Sequence, residues 1–486
     1  MEKYAVIDIG SNSVRLVVYE SLKRAPYVVF NEKILCGLGR GVSENGLMME
    51  KSMDWAIDTL KRFSLLMDKM DILDHRVVAT SAVREAKNGP DFVRRVQKEC
   101  GLEISVISGA EEAKLSAYGV LCALPRANGI VGDLGGGSLE LAHVKDGDVH
   151  HKTSLPIGPL KFQDVEKAKT AQKEIDQALG ENSWLDSLKG QNFYAVGGSW
   201  RALAKIHMAE NDYYLNNVHH YTIPLEDALD LSKRLAGKLP VELNKYRYCI
   251  SSRRLKVLPK SALILHRVLK ILKPKRLVIS GYGLREGMLF EKMSVEERQQ
   301  DPLLAACYDL AARNGRFSEH GKRLKKWIDP LFEGEDFEKT RLRLAVSFLS
   351  DVGWRGHPEY RADKVLYEIL QSRLLGVTHR GAAFMGLALY VCYGGYLGEH
   401  HTAKIETLVR PGDIGYAERV GLALRLAQRI SGGTKKGLKS AELEISGDQL
   451  LMHMAEQDQA LANDVVLERL AKLAKKFGLK EDVRIN

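Results

Sequence analysis

Cysteine is scarce and scattered in this 486-residue sequence. The six cysteines, at 36, 100, 122, 249, 307 and 392, form no Cys-x-x-Cys pair, a pattern that fits reduced cytosolic thiols better than a cysteine-based zinc site or a disulfide frame. A basic leader followed by an apolar block is also missing. Met-Glu-Lys-Tyr leads almost directly into Val-Ile-Asp-Ile-Gly, so no signal peptide is expected. Long uncharged runs are rare. The one of marginal spanning length, 381–398, carries five glycines and spaced tyrosines and reads as a helix buried in protein rather than in lipid. Positive charge is in excess: 72 basic against 62 acidic residues give +10 and a pI near 9.1. That sign steers polyanions, whether nucleic acid, nucleotide, polyphosphate or an anionic membrane. With 45% hydrophobic and 28% charged residues, the composition is that of a soluble globular chain. Its length calls for about two to four domains.

The most informative stretch is Ile130 to Leu141, Ile-Val-Gly-Asp-Leu-Gly-Gly-Gly-Ser-Leu-Glu-Leu. Its apolar front suits a strand. Gly135, Gly136 and Gly137 let backbone N–H groups approach an anion closely, and Ser138 adds a hydroxyl donor. Asp133 and Glu140 repel phosphate, so in such a cradle they hold Mg²⁺ or position water. Taken alone, the stretch reads equally well as a glycine hairpin between two strands. A second copy of the same device stands 125 positions earlier, where strand Tyr4 to Asp8 enters Gly10-Ser11-Asn12-Ser13 and leaves as strand Val14 to Glu20. Asp8, Gly10 and Ser13 match Asp133, Gly135 and Ser138, and two such turns facing each other enclose a phosphate.

Between and after the two turns, strand-like and helical patterns alternate. Tyr27 to Ile34 is a strand, followed by Cys36-Gly-Leu-Gly-Arg-Gly, a weak glycine pattern without a dinucleotide-binding context. Ser52 to Met70 is helical. Strand His75 to Thr80 ends at Ser81-Ala82-Val83-Arg84, where Arg84 either forks onto phosphate or makes a surface ion pair. Strand Glu103 to Ser108 leads into a helix opened by Glu111 and Glu112, acids that suit its N-terminus. Leu160 to Leu179 looks helical. Phe193 to Val196 runs into Gly197-Gly198-Ser199 and another helix, an arrangement suited to anions. Arg276 to Ser280 is a strand, after which Gly281 to Arg285 opens a further helix. The alternation implies an α/β class with two related halves, 1–125 and 126–300. Beyond 301 helices dominate, around 305–313, 320–332, 340–349, 362–375 and 381–393, and a small subdomain with a strand, a turn and a helix begins near 430.

Asp8 to Ser13, Asp133 to Glu140 and Gly197 to Ser199 resemble the phosphate loops of the superfamily containing actin, sugar kinases and the heat-shock ATPases. Together with Thr80 to Arg84, Ser108 to Ala113 and Leu155-Pro-Ile-Gly158, they occur in the order seen in the exopolyphosphatase and guanosine pentaphosphate phosphatase family. The resemblance covers residues 1 to about 300. It implies two actin-like (ribonuclease H-like) α/β domains followed by an all-α, HD-like C-terminal domain over 301–486. It also implies hydrolysis of the terminal phosphate of inorganic polyphosphate, or of the 5′-γ-phosphate of guanosine pentaphosphate, with Mg²⁺ or another divalent cation. Glu112 then takes the role of the base that activates water, with Glu111 as the alternative. Asp133 and Glu140, with Asp8 nearby, hold the metal. Gly10 to Ser13, Arg84, Gly135 to Ser138 and Gly197 to Ser199 bind phosphate. The family pattern further suggests a cytoplasmic homodimer, with neither membrane nor nucleic acid as partner.

Two departures stand out. An HD-type metal centre needs adjacent His and Asp, but Leu349 is followed here by Ser350-Asp351, with His320 as a preceding histidine. No second metal-dependent site is therefore expected. Ser252-Arg253-Arg254-Leu255-Lys256 is unusually basic and reads as either a polyanion patch or a solvated helix face. Two rival functions remain, an ATP-dependent kinase or ATPase of the same superfold and a non-catalytic polyphosphate sensor.

Overall fold

The computed structural model describes residues 2–162, 168–317 and 319–485. The chain divides into two units, Met1–Gln300 and Asp301–Asn486.

The first unit is built on two mixed sheets. In the first, Tyr4–Ile9 (β1) pairs antiparallel with Val14–Tyr19 (β2), which pairs antiparallel with Val28–Ile34 (β3). On its other side β1 runs parallel to Asp74–Ala79 (β4), followed by Ile104–Val106 (β5), giving the order β3-β2-β1-β4-β5. The second sheet repeats the plan. Gly129–Leu134 (β6), Leu139–Lys145 (β7) and Asp148–Leu155 (β8) form its antiparallel side. Asn192–Val196 (β9) runs parallel to β6, and beyond it lie Thr222–Pro224 (β10) and Arg276–Ile279 (β11), in the order β10-β11-β9-β6-β7-β8. β1 and β6 are central and almost wholly apolar, as strands covered on both faces must be. Their one polar position near the end, Asp8 in β1 and Asp133 in β6, is only partly buried.

Each sheet has its own core. The first packs Ile7, Leu16 and Val77 against Phe63 and Phe92 from its helices, and the second packs Leu141, Phe193 and Leu277 against Trp200 and Leu258. The helices Gly109–Ala123 and Leu284–Lys292 meet closely enough that a Cβ at Gly287 would lie 1.7 Å from the Leu115 carbonyl and one at Gly119 2.1 Å from that of Gly283. Only glycine permits this approach, and it brings Ser116 and Arg285 to the two strand-end aspartates. The helix expected over 160–179 is shorter. It spans Ala168–Gly180 and is preceded by a turn at 159–161, while 163–167 lie outside the described residues. Arg84 sits in a short helix, Ser81–Glu85, rather than on an open turn.

The second unit is helical around His379–Cys392, a nearly fully buried helix packed against Arg361–Gln371 and Pro411–Ser431. No helix among the described residues is long and apolar enough to cross a membrane. The unit is not purely α. Ala441–Ser446 (β12), Gln449–Met454 (β13) and Lys480–Ile485 (β14) form a three-stranded sheet. The pattern near 430 shows one strand; β14 escapes it because its alternation, Lys-Glu-Asp-Val-Arg-Ile, is mostly charged.

Candidate active site

The two glycine turns have the same backbone geometry. Gly10 N donates to Ser13 O and Gly135 N to Ser138 O, each at 3.0 Å. In the first turn the carbonyls of Ser11 and Asn12 accept from Gly39 N (2.7 Å) and Gly37 N (3.2 Å). In the second, those of Gly136 and Gly137 accept from Leu160 N (2.9 Å) and Gly158 N (3.0 Å). The glycine pattern after Cys36 and the Leu-Pro-Ile-Gly158 stretch are thus equivalent braces. The turns face each other: a Cβ at Gly136 would lie 3.3 Å from Ser11 Cβ. Ser81 bridges them, its Oγ hydrogen-bonded to Ser11 Oγ at 3.0 Å and 3.5 Å from the Cβ position of Gly137.

The strand register sets what faces each aspartate. Asp133 lies opposite Glu140, while Asp8 lies opposite Arg15. Glu140 is buried, and its Oε1 accepts from Ser154 Oγ at 2.8 Å. Burial raises its pKa to about 7, with Asp133 adding repulsion. Asp133 accepts from Ser116 Oγ at 2.5 Å, and burial raises its pKa as well. Glu112 is buried beside them on Gly109–Ala123. Burial and then the Glu140 charge push its pKa well up, opposed by Arg84. Arg84 Nη1 donates to Glu112 Oε2 at 3.1 Å and to the Ile107 carbonyl at 3.0 Å. Glu111 points elsewhere, to Lys114 Nζ at 3.4 Å. Adjacent positions on a helix diverge by about 100°, so the two acids of the pair are separated and only Glu112 enters the carboxylate cluster.

The first turn has a cationic surround. Arg285 Nη1 lies 3.6 Å from Asp8 Oδ2, and burial raises the Asp8 pKa against the pull of Arg285, Arg15 and Lys33. Arg15 Nε donates to Asn31 Oδ1 at 2.8 Å. At the third glycine loop, Gly197 has φ 106°, a left-handed conformation that glycine adopts freely, and Gly198-Ser199 opens the helix Gly198–Glu210. Arg201 from that helix donates to the carbonyls of Gly197 (3.1 Å) and Gly281 (3.3 Å). The Arg254 guanidinium occupies the space beside Gly198, with Nη1 2.2 Å from where a Cβ would be. Of the basic run 252–256, Arg254 therefore belongs to the site. Arg201, Arg285, Ser116 and Ser154 carry no motif. They are ordinary residues on helices and an edge strand, placed by tertiary packing, and the only signal for Arg285 was its position just after Gly281-Tyr-Gly.

No group of three or more His, Cys, Asp or Glu among the described residues is arranged to chelate an ion by itself. The donors present are hard carboxylate oxygens, with the buried Ser138 hydroxyl beside Glu140. That combination fits Mg²⁺, which takes one or two carboxylates and fills its octahedron with water and substrate phosphate. In the helical unit, Asp351 Oδ1 accepts from Arg316 Nε at 2.8 Å and Nη2 at 2.6 Å, and Ser350 Oγ accepts from Gln428 at 3.0 Å. A guanidinium thus sits on the carboxylate that an HD-type metal would use. Burial lowers the His320 pKa, and neither ring nitrogen has a hydrogen-bond partner.

The Ppx/GppA phosphatase family model matches residues 17–296, and the model for the exopolyphosphatase C-terminal region matches 303–483. Retrograde regulation protein 2 of Saccharomyces cerevisiae is 25% identical over 460 residues, covering 85% of this chain and 77% of its own. A Ppx/GppA family member from Aquifex aeolicus shares 28% identity at a TM-score of 0.53, over 62% of this chain and 99% of its own. An exopolyphosphatase from Cytophaga hutchinsonii shares 25% at 0.55, over 60% and 99%. With paired Asp-x-Gly-x-x-Ser turns, a buried glutamate beside them and a family match over more than half its length, the chain belongs to the Ppx/GppA phosphatase family.

Proposed function

We propose that this protein is an Mg²⁺-dependent exopolyphosphatase that hydrolyses the terminal phosphate of inorganic polyphosphate and also accepts the 5′-γ-phosphate of guanosine pentaphosphate. The observation that carries this reading is the placement of Glu112, buried beside Glu140 and bonded to Arg84 at the edge of two facing glycine turns. The turns offer backbone N–H groups and the hydroxyls of Ser11, Ser13 and Ser138 to a terminal phosphate. Glu112 takes the proton of an attacking water. Its raised proton affinity suits a base working near neutral pH. Arg84 is shared between this carboxylate and the phosphate oxygens, so substrate that draws the guanidinium toward itself frees the base. Asp133 and Glu140, with Asp8 nearby, would hold the cation, which supplies charge neutralisation at the phosphoryl oxygens. Arg15, Lys33, Arg254 and Arg285 take the charge of the phosphates behind the terminal one.

The test is phosphate release by the purified chain from polyphosphate, guanosine pentaphosphate and ATP, with and without Mg²⁺. The reading expects the first two to be hydrolysed and ATP to be spared. ATP consumption matched by a phosphorylated acceptor would instead establish the kinase reading. A sensor reading has one observation in its favour, the likeness to a yeast protein named for regulation. Tight binding of polyphosphate without turnover in the intact chain would establish it. We also propose that the enzyme works in the cytosol as a homodimer. All six cysteines are free thiols, consistent with a reducing compartment, and sedimentation at micromolar concentration checks the oligomer.

A further inference from the structure

The helices Pro411–Ser431 and Asp464–Phe477 of the helical unit pack together and gather three arginines. Arg425 and Arg429 are four residues apart and share a helix face. Arg469 reaches across from the second helix, its Nη1 donating to the Arg425 carbonyl at 3.4 Å. The Arg425 guanidinium lies against the backbone of Gly394, where a Cβ would come within 2.9 Å of Nη2. Burial, then repulsion from Arg425 and Arg429, pushes the Arg469 pKa down to about 10. Glu468, the acid whose charge acts on Arg469, is engaged elsewhere and holds Lys472 at 2.6 Å. None of the three arginines has an ion-pair partner among the described residues. Like charges four residues apart on a helix destabilise it, and a third guanidinium, half-buried, adds to that cost. An anion spanning the three removes the repulsion and gains forked, charge-assisted hydrogen bonds.

We propose that Arg425, Arg429 and Arg469 form an anion site in the helical unit that takes a diphosphate group. That chemistry has two sources, an inorganic polyphosphate chain and the diphosphate of a nucleotide. The site lies in a different unit from the proposed reaction and does not depend on it.

Calorimetric titration of the full chain with methylenediphosphonate and with α,β-methylene-ADP tests it, because neither P–C–P bridge is hydrolysed. A binding event at the helical unit is expected in the native chain, besides any at the proposed active site. That event weakens at least tenfold in Arg429→Gln, an exposed position, and disappears in the Arg425→Gln/Arg469→Gln double variant, while phosphate release from tripolyphosphate is unchanged. Weakening with the inorganic probe alone assigns the site to polyphosphate; a tenfold preference for the nucleotide probe assigns it to a nucleotide. Relief of repulsion also predicts that the ligand-free Arg429→Gln melts no lower than the native chain. No binding to the native chain, or stoichiometry and affinity unchanged in the folded Arg429→Gln and double variants, overturns the proposal. So does a lowered melting temperature with binding intact, which is the signature of a purely structural role.

Discussion

The two glycine turns share backbone hydrogen bonds, bracing loops and aspartate position, yet the residue opposite the aspartate is Arg15 in one and Glu140 in the other. One register position thus separates a cationic turn, with Arg285 on Asp8, from an anionic one, with Glu112 and Glu140 beside Asp133. Two turns of the same backbone geometry thus carry opposite charge. The cationic half suits gripping a phosphate chain, and the anionic half suits a divalent cation and a base.

The largest effect expected from breaking this division is at Glu112. Glu112→Gln keeps shape and loses the proton acceptor, so kcat for polyphosphate falls by about 10²–10⁴ while KM changes little. Steady-state phosphate release checks this. Next, Glu140→Gln abolishes the response of turnover to Mg²⁺ concentration over the native range, whereas Arg15→Gln at the equivalent position leaves that response intact and raises KM. A titration of rate against Mg²⁺ in both variants separates the two roles. On the cationic side, Arg254→Gln raises KM for long polyphosphate about tenfold, on the order of 1.4 kcal/mol, with kcat nearly unchanged. A smaller effect is expected from Ser154→Ala, which removes the hydrogen bond to Glu140 at a cost of about 1 kcal/mol and displaces the pH–rate profile rather than the plateau rate.

The anionic half also predicts a pH signature. The pKa of Glu140 rises from 4.5 to about 7 on folding, so the folded state binds its proton more tightly than the unfolded chain. Its contribution to stability is therefore fully present below the unfolded pKa and is lost as pH rises through the folded one. In EDTA the α/β unit melts at a lower temperature at about pH 8 than at about pH 5, and Mg²⁺ reduces the difference. Calorimetric melting across that range measures it.

The division was only partly legible in the sequence. Both turns could be read because Asp-x-Gly-x-x-Ser after an apolar strand demands particular residue types at particular positions. The resemblance singled out Glu112 over Glu111 in the Glu-Glu pair, but not the physical difference between them, which is the helix phase that buries one and turns the other to Lys114. Arg201 was invisible, since an arginine on a helix has no local signature; Arg285 was marked only by its place after Gly281-Tyr-Gly, and the Gly119–Gly287 approach that seats it is a long-range contact. Arg254 was half visible as charge, because composition does not say which residue of a basic run turns inward. The sheet β12–β14 was missed in part for the same reason that β14 is mostly charged.

The most direct test compares Glu112→Gln with Glu111→Gln in single-turnover release of phosphate from polyphosphate at saturating Mg²⁺. A near-native rate is expected for Glu111→Gln and a loss of about 10²–10⁴ for Glu112→Gln. The reverse order, or near-native release by both, contradicts the assignment of Glu112 as the base.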